Sequence, residues 1–537
     1  MTSPPEADSR MTSKGSQSSP SIAPTNGARL WLWLLALCAL GLAARLPTLQ
    51  SRSLWLDEAY SAWFSGLSLH ELWTDVPKYE SHPPMYYTLL MAWRGAFGSS
   101  EAALRSLSVF AGVLTIAVVA SAGRVLKLGR KGDEIALTAA LFLALNAGSV
   151  KYAEQARPYA LETLAATIAI LAAARLQREL LEAARGLASR PVPSAVVLAL
   201  ATGSTMWLHD TGVLVAYGIW AGLALSLLIS TRSGHGRQAL ILVASGLGAI
   251  AVCAPLIPIL AHQTSNMSRM HFWLRATPRD FLAAWYLVTG TGNLLLILQG
   301  LAIVSGLVVL WRRFRPEAIF VSTVLFLPLA TTLAVTFLIR PIFIDRLFEW
   351  MTPLAMFVSA TGIVLTVRSR AARGMAVLLL VGLGLKATSA FYRWSEEDWR
   401  AILGKISRER LPGDVVVTVP NELNVLVLYY TRPDAFPGTL YLPAPFPALG
   451  WDRDYVGNLG APAIDPRDVA TEHQALAHAG RVWLIERAAQ GFDPRDTVRS
   501  EIASGRDLIS RGTDQPFISY ELYGAPNARL AKPAENR

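Results

Sequence analysis

The sequence predicts a polytopic α-helical membrane protein that ends in a small α/β domain. Three observations support this fold class. Of the 537 residues 52% are hydrophobic and 16% charged, with a mean hydropathy of +0.36, a balance that departs from soluble globular chains toward many apolar spans. The apolar residues fall into about eleven segments of nearly membrane-spanning length. After residue 391 the pattern changes to short β-rich runs between polar stretches.

The net charge of +10 does not indicate a nucleic-acid partner, because the basic residues lie mainly between apolar segments instead of on one soluble face. Both cysteines, Cys38 and Cys253, lie inside apolar segments, where a thiol behaves as a small hydrophobe. They therefore indicate neither a disulfide nor a redox compartment.

The N-terminal part contains a polar tail and a first span. Residues 1–29 are rich in Ser, Pro and Thr without apolar periodicity, which predicts a disordered tail. Residues 30–46 are apolar and follow Arg10, Lys14 and Arg29, which fits a signal anchor that enters from the cytoplasm. A cleaved signal peptide is the alternative.

Ten further apolar segments complete the predicted bundle of about eleven transmembrane helices. They cover residues 103–123, 135–150, 158–175, 193–208, 211–231, 238–261, 293–311, 318–339, 350–367 and 374–391. Residues 83–97 are apolar too, but they are short and begin with two prolines. If they lie along the interface, the basic cluster Arg124–Lys131 and the basic residues of four later loops all face the cytoplasm, as the positive-inside rule requires. We therefore predict an interfacial helix in the first outer loop.

This topology places the loop 47–102 and everything after residue 391 on the outer side. The runs 415–419, 425–430 and 481–485 are expected to be strands of an extracytoplasmic α/β domain. The predicted organisation is thus a tail of residues 1–29, a membrane domain of residues 30–391 and an outer domain of residues 392–537.

Two adjacent acids, Asp57 and Glu58, lie in the first outer loop within SLWLDEAYSAWF. A partly desolvated carboxylate among apolar and aromatic neighbours can act as a general base for an acceptor hydroxyl. The alternative is a solvated loop acid whose aromatic neighbours only anchor the loop to the membrane. His82, in SHPPMYY, could bind phosphate, ligate a metal or hydrogen-bond a carboxylate, and the simpler alternative is a structural role at the start of a helix.

Other polar residues are expected at the same outer mouth of the bundle. Glu154, Arg157 and Tyr159 lie in KYAEQARPYALET, and the planar fork of an arginine suits a phosphate group, although an anchoring Glu–Arg pair is the simpler alternative. The further clusters are His209 with Asp210, His271–Trp273, and Asp345 with Arg346. Each alone could be an interfacial anchor, but their convergence on one side of the bundle predicts a binding site that includes His209.

Five motifs occur in the order SLWLDEAYS, SHPPMYYTLLMAWRGAFGSSEAALRSLSVFAG, YAEQARPYAL, DRLFEWMTP and EEDWRAILGKISRERLPGDVVV. As a series, over roughly residues 30–420, they resemble GT-C-type glycosyltransferases related to the protein O-mannosyltransferases and to the lipid A aminoarabinose transferase. The resemblance implies a GT-C-like bundle. It also implies inverting, single-displacement transfer from a polyprenyl-phosphate sugar to a lipid, glycan or protein acceptor at the outer face of the cytoplasmic membrane.

The resemblance also implies roles for single residues. It makes Asp57 the general base and Glu58 the second acid of the motif, with His82, Arg157 and Tyr159 as substrate-binding residues. No cofactor is certain, although some relatives engage a divalent cation near these acids.

This chain departs from the family pattern in two places. The second outer loop has Glu154 before Gln155, whereas many relatives have the reverse order, so either residue could occupy the acidic position. Arg346 matches a phosphate-binding arginine, but Leu347 follows it where relatives usually have tyrosine.

Two other functions share a charged outer mouth. One is a transporter or flippase of lipid-linked sugars, which should show internal pseudo-symmetry and polar residues at mid-membrane depth; the sequence indicates neither. The other is a membrane assembly protein that works through its C-terminal domain.

Overall fold

A computed structural model describes residues 26–230, 235–267, 277, 279–394, 397–431, 436, 438–443, 446–448, 455 and 460–526. The predicted disordered tail lies outside these residues except for its last four, which are helical. The helices of the membrane part and outer loops are α1 Asn26–Ala43, α2 Leu56–Phe64, α3 Leu69–Thr74, α4 Met85–Phe97, α5 Glu101–Val125, α6 Gly129–Ala144, α7 Ala147–Ala153, α8 Tyr159–Ala184, α9 Pro191–Leu208, α10 Gly212–Ser230, α11 His235–Cys253, α12 Ile257–Met267, α13 Asp280–Thr289, α14 Asn293–Arg313, α15 Arg315–Leu338, α16 Thr352–Thr366 and α17 Arg370–Arg393.

The predicted helical membrane bundle is confirmed. Nine helices among the described residues are long and apolar enough to cross a membrane, and the bent pair α6–α7 brings the number to ten. The segment predicted as the first span is a shorter apolar helix, Leu30–Ala43. Within the bundle, small residues allow close contact: a Cβ at Gly306 of α14 would lie 2.1 Å from the Val358 carbonyl oxygen of α16.

The predicted span over residues 135–150 is bent, because the chain turns by 63° between α6 and α7. Asn146 causes a new helix to begin there. Its side chain accepts a hydrogen bond from the Ser149 amide at 3.0 Å, as a helix N-cap does, and donates to the Val288 carbonyl at 2.9 Å. The bend directs the chain after α7 into the turn that carries Arg157.

The loop 47–102, which is predicted to lie on the outer side, folds into short helices, α2 to α4, with a 3-10 turn at Val76–Lys78. The predicted interfacial segment forms α4, whose 13 residues span only about 20 Å. That is too short to cross the ~30 Å hydrocarbon core. Its orientation along the membrane stays a prediction.

The C-terminal part contains the predicted α/β domain. Its helices and strands are α18 Trp399–Glu409, β1 Val415–Val419, α19 Asn424–Tyr430, β2 Leu440–Tyr441, α20 Pro466–Leu476, β3 Val482–Arg487, α21 Ala489–Phe492, α22 Thr497–Gly505, β4 Leu508–Thr513 and β5 Ile518–Tyr523. The strand order is β2-β1-β3-β5-β4. The first three pair in parallel, whereas β5 is antiparallel to β3 and β4.

Residues 425–430 were expected to form a strand, and this prediction is wrong, because they form most of α19. A 3-10 turn at Asn421–Leu423 precedes them. Val425, Leu426 and Val427 are buried while Leu428 is 51% exposed, so packing on the outer loop decides the conformation of a run that suits either structure.

The C-terminal domain and the loop 47–102 share one hydrophobic core. Tyr60 and Phe64 of α2 belong to the same cluster as Trp399 of α18 and Trp483 of β3, and Trp399 and Trp483 are at most 1% exposed. Burial of such large aromatic side chains contributes strongly to stability. The core therefore fixes the C-terminal domain against the helix that carries Asp57.

Candidate active site

Helix α2 presents its two adjacent acids to different surroundings. Successive residues of a helix point about 100° apart, so Asp57 and Glu58 cannot share one face. The Asp57 side chain is 26% exposed, whereas that of Glu58 is completely buried. Only Asp57 is accessible to a substrate.

Both carboxylate oxygens of Glu58 accept hydrogen bonds from the Arg105 guanidinium of α5, at 2.8 and 2.6 Å. One of them also accepts from the Ala156 amide at 2.8 Å. These contacts tie α2 to α5 and to the turn before α8. The alternative of a solvent-facing loop acid is therefore wrong for Glu58, and its geometry favours a positioning role over a catalytic one.

Asp57 lies between two arginines from distant parts of the chain. Its Oδ2 is 3.6 Å from Nη1 of Arg346 and 3.9 Å from Nη2 of Arg157. Arg157 also donates to the Asp57 backbone carbonyl at 3.2 Å. Two guanidinium groups thus converge on the exposed carboxylate, an arrangement that can receive an anionic group beside it.

Tyr159 lies beside both arginines, and its ring centroid is 5.9 Å from the guanidinium carbon of each. Arg346 also lies over the Trp55 ring, at 5.8 Å. These distances are within the range of cation–π attraction. Leucine at position 347 cannot stack on Arg346, but the rings of Trp55 and Tyr159 lie beside its guanidinium group instead.

His82 joins this group from the turn before α4. Its Nε2 is 3.5 Å from Nη2 of Arg157, and its Nδ1 is 2.5 Å from Glu80. Gln263 of α12 donates to the carbonyl oxygens of Glu80 and His82 and so fixes the turn. Burial lowers the pKa of His82 and outweighs the opposing effect of Glu80, which favours a neutral imidazole.

His209 follows α9, and its ring centroid lies 4.7 Å from that of His82 and 5.5 Å from that of Tyr159. Its Nδ1 is 2.7 Å from Asp210. Burial would lower the pKa of His209, but Asp210 and Glu162 outweigh burial and raise it. His271–Trp273, also expected here, lie outside the described residues.

His82, His209 and Asp210 offer ligand atoms that lie within 4.8 Å of one another. Two imidazoles and a carboxylate form a donor set that suits a divalent transition metal such as Zn²⁺. The Nε2 atom of His209 is buried and has no hydrogen-bond partner among the described residues, which leaves it available as a ligand. The donor set fits a divalent cation.

The turn before α8 also holds Glu154 and Gln155, both of which are buried. The Thr48 hydroxyl donates to Glu154, and burial raises the pKa of this carboxyl to about 7. The Gln155 carbonyl accepts from the Arg157 amide at 2.8 Å and shapes the turn that presents the arginine. Glu154 thus contacts the chain just after α1, and Gln155 supports Arg157 through its backbone.

The structure therefore brings together Asp57, His82, Arg157, Tyr159, His209 and Arg346. The sequence had not singled out Glu80 or Arg105, which hold His82 and Glu58. Sequence patterns also gave no indication that the C-terminal domain contributes to the site, where Glu422 accepts a hydrogen bond from the Tyr60 hydroxyl at 2.9 Å. Glu397 accepts from the Leu56 amide at 3.4 Å and pairs with Arg487. Its place in the EEDWR motif was the one available signal.

No family model and no curated protein matches the sequence. The structure, however, is similar to those of ArnT from Cupriavidus metallidurans, in the apo state and bound to undecaprenyl phosphate, with TM-scores of 0.60 and 0.57. Each is 14% identical and covers 95% of this chain and 100% of ArnT. The archaeal oligosaccharyltransferase AglB from Archaeoglobus fulgidus, in complex with an inhibitory peptide and a dolichol-phosphate, has a TM-score of 0.51 and 12% identity over 95% of this chain and 76% of its own. At these identities the likeness establishes the fold, and the expected GT-C-like bundle is confirmed.

Proposed function

We propose that this protein, which has the GT-C fold, transfers a sugar from a polyprenyl-phosphate carrier to a lipid, glycan or protein acceptor. One observation carries the proposal: a partly exposed carboxylate, Asp57, lies between the guanidinium groups of Arg157 and Arg346 at the outer loops. A base beside a phosphate-binding pair is what displacement of a phosphate leaving group requires.

In the proposed reaction Asp57 removes the proton from an acceptor hydroxyl or amine. The acceptor atom attacks the anomeric carbon as the bond from that carbon to the phosphate oxygen breaks. Polyprenyl phosphate leaves with the bonding electrons, and Arg157 and Arg346 stabilise its charge. A single displacement of this kind inverts the anomeric configuration.

The carrier is proposed from the fold and from this pair of arginines. ArnT, which shares the fold, binds undecaprenyl phosphate in one of its structures, and AglB is in complex with a dolichol-phosphate. A carrier of this chemical class would place its phosphate at the arginines and its chain in the membrane.

We further propose that His82, His209 and Asp210 hold a divalent cation. Such a cation supplies positive charge beside the leaving phosphate when it is bound. Neighbouring residues would orient the two histidine ligands: Glu80 contacts Nδ1 of His82, and the Thr211 hydroxyl lies 2.8 Å from Nδ1 of His209.

The proposed topology follows the positive-inside rule. The N-terminus lies in the cytoplasm, and residues 392–537 lie outside, on the side of Asp57. Residues 1–29, 30–391 and 392–537 are then the tail, the membrane domain and the outer domain. Contacts of Glu397 and Glu422 with α2 support an outer domain on the same side as the site.

The decisive experiment is mass spectrometry of lipids, glycans and proteins from cells with and without the gene. We expect one acceptor to lose the mass of one sugar in the deletion strain. The wild-type gene and the Asp75→Asn variant, which alters an exposed acid of the same loop, should restore it, whereas Asp57→Asn should not. Restoration by Asp57→Asn would contradict the role of Asp57.

A second experiment, sugar transfer by the purified protein in proteoliposomes, separates the rival functions. A flippase would change the side of the membrane on which a lipid-linked sugar accumulates, without purified protein forming a new glycosidic bond. An assembly protein would lose its effect when residues 400–537 are deleted but keep it in Asp57→Asn. Formation of product by purified protein in proteoliposomes excludes both.

A further inference from the structure

A cavity of about 800 Å³ lies inside the helical bundle, away from Asp57. Helices α5, α6, α8, α14, α15 and α16 line it. Along α8 its lining runs from Thr167 to Arg185, whereas Tyr159 of the candidate active site begins the same helix. At ~1.5 Å per residue, the cavity starts about 12 Å from Tyr159 and continues to the opposite end of the bundle. It is therefore separate from the arginine pair.

The interior of the cavity is apolar. Val119, Leu171, Phe320, Phe357 and Leu365 contribute to its walls. Its volume lies within the ~300–1,000 Å³ range of small-molecule sites. Its extent along α8 is about 27 Å at the same rise per residue, which exceeds half of the ~30 Å hydrocarbon core. An extended hydrocarbon chain fits both the chemistry and the length.

The far end of the cavity is rich in positive charge. Five basic residues line it, Lys131, Arg178, Arg185, Arg313 and Arg315, against two acidic residues, Glu182 and Glu317. Arg178 is engaged, because it pairs with Glu182 at 2.9 Å. Within the described part of the chain, no ion pair or side-chain hydrogen bond engages the other four basic side chains. A rim of uncompensated cations beside an apolar cavity is complementary to an anionic headgroup with an acyl chain.

From this arrangement we infer that the cavity binds an anionic phospholipid, with its phosphate at Arg313 and Arg315 and an acyl chain between α8 and α16. The proposed phosphate position is independent of the sugar transfer, because the basic residues lie at the end of the cavity opposite Tyr159. A polyprenyl phosphate bound at Arg157 and Arg346 has its own phosphate at the outer loops and would leave this rim unpaired.

Binding can be measured by native mass spectrometry of the purified full chain with phosphatidylglycerol and with phosphatidylcholine of the same acyl chains. We expect one molecule of phosphatidylglycerol to bind preferentially. The double variant Arg313→Gln with Arg315→Gln should weaken the binding of phosphatidylglycerol roughly 5-fold for each arginine. This factor corresponds to about 1 kcal/mol per basic residue near an anionic surface.

The matched control is Arg312→Gln with Arg370→Gln. These arginines are exposed on the same side of the bundle and do not line the cavity. The control should leave binding unchanged. An equal loss of phosphatidylglycerol binding in both double variants would mean that this end of the bundle attracts anionic lipids only through its overall charge. This result would overturn the inference.

A second variant tests the apolar part of the site. Ala174 lines the cavity, so the larger side chain of Ala174→Phe should occupy the space of the acyl chain. The variant should bind phosphatidylglycerol more weakly, while its unfolding temperature stays close to that of the wild type. Unchanged binding would contradict insertion of the chain. Competition by undecaprenyl phosphate that persists in Arg157→Gln with Arg346→Gln would assign the cavity to the carrier and also overturn the inference.

Discussion

Arg105 donates hydrogen bonds to both carboxylate oxygens of Glu58, and neither side chain is more than 2% exposed. This ion pair separates the role of Glu58 from that of its neighbour Asp57. The ion pair is buried from solvent, and Glu58 also accepts a hydrogen bond from the Ala156 amide. These contacts hold α2 against α5 and against the turn that carries Arg157. The direction in which Asp57 faces therefore depends on Glu58.

Loss of this pair should destabilise the fold. Glu58→Gln removes the carboxylate that Nε and Nη2 of the buried Arg105 contact, and breaking such a buried pair typically costs about 3–5 kcal/mol. We expect a clear decrease in unfolding temperature. Asp75→Asn, which removes an exposed pair with Lys78, should have almost no effect. Equal unfolding temperatures for Glu58→Gln and the wild type would contradict a structural role.

Asp57→Asn should have the opposite profile. The side chain is partly exposed and its two arginine contacts are longer than 3.5 Å, so the unfolding temperature should hardly change. A general base contributes about 10²-fold to 10⁴-fold, and turnover of a defined polyprenyl-phosphate sugar should fall within that range. Single-turnover kinetics check this, and carrier binding measured separately should persist. Wild-type turnover in Asp57→Asn would exclude the base assignment.

Arg346→Lys should lower kcat/KM for the polyprenyl-phosphate sugar. Lysine keeps the charge but loses the planar fork and much of its stacking on Trp55 and Tyr159. Loss of a charge-assisted hydrogen bond corresponds to about 10-fold to 100-fold in kcat/KM. Arg279→Lys, at an exposed position before α13, is the control. If both variants lose activity equally, Arg346 has no specific contact with the phosphate.

The proposed cation can be tested by elemental analysis of the purified protein after chelation and dialysis against Zn²⁺ or Mn²⁺. We expect about one ion per chain, lost in His209→Ala and retained in His70→Ala, which alters an exposed histidine of α3. An ion content that is equal in the two variants would place any bound metal elsewhere.

The contact between Tyr60 and Glu422 predicts a pH dependence of stability. Burial raises the pKa of Glu422 to about 7, although Arg487 and the Tyr60 hydroxyl act against it. Because the folded pKa is above the unfolded one, the contribution is complete below about pH 4.5 and is lost as the pH rises through about 7.

Unfolding measured between pH 4 and 8 checks this, as the difference between wild type and Glu422→Gln. The wild type should lose up to about 3 kcal/mol relative to the variant over this interval. The control Glu409→Gln, in an exposed pair with Lys405, should follow the wild type. A constant difference would show that Glu422 does not titrate in this range.

Local sequence patterns were sufficient for the membrane fold and for most of the polar residues that meet around Asp57. A run of apolar residues long enough to cross the hydrocarbon core predicts a helix almost without regard to its neighbours, since each backbone group must be satisfied within the segment. The ordered motifs placed Asp57, Arg157 and Arg346 on one side of that bundle, where the structure has them together.

Contacts between distant segments decided the rest. The sequence does not show which of the adjacent acids Asp57 and Glu58 is buried, because the burial of Glu58 depends on its contact with Arg105 of α5. Residues 425–430 suit a strand by composition, but packing against α2 makes them a helix. The bend at Asn146 and the approach of Glu422 to Tyr60 likewise depend on partners far along the chain.

The sequence by itself determined which segments enter the membrane, because that depends on each segment's own transfer free energy. The tertiary structure decided which polar groups are accessible, because burial and pairing are properties of the assembled chain.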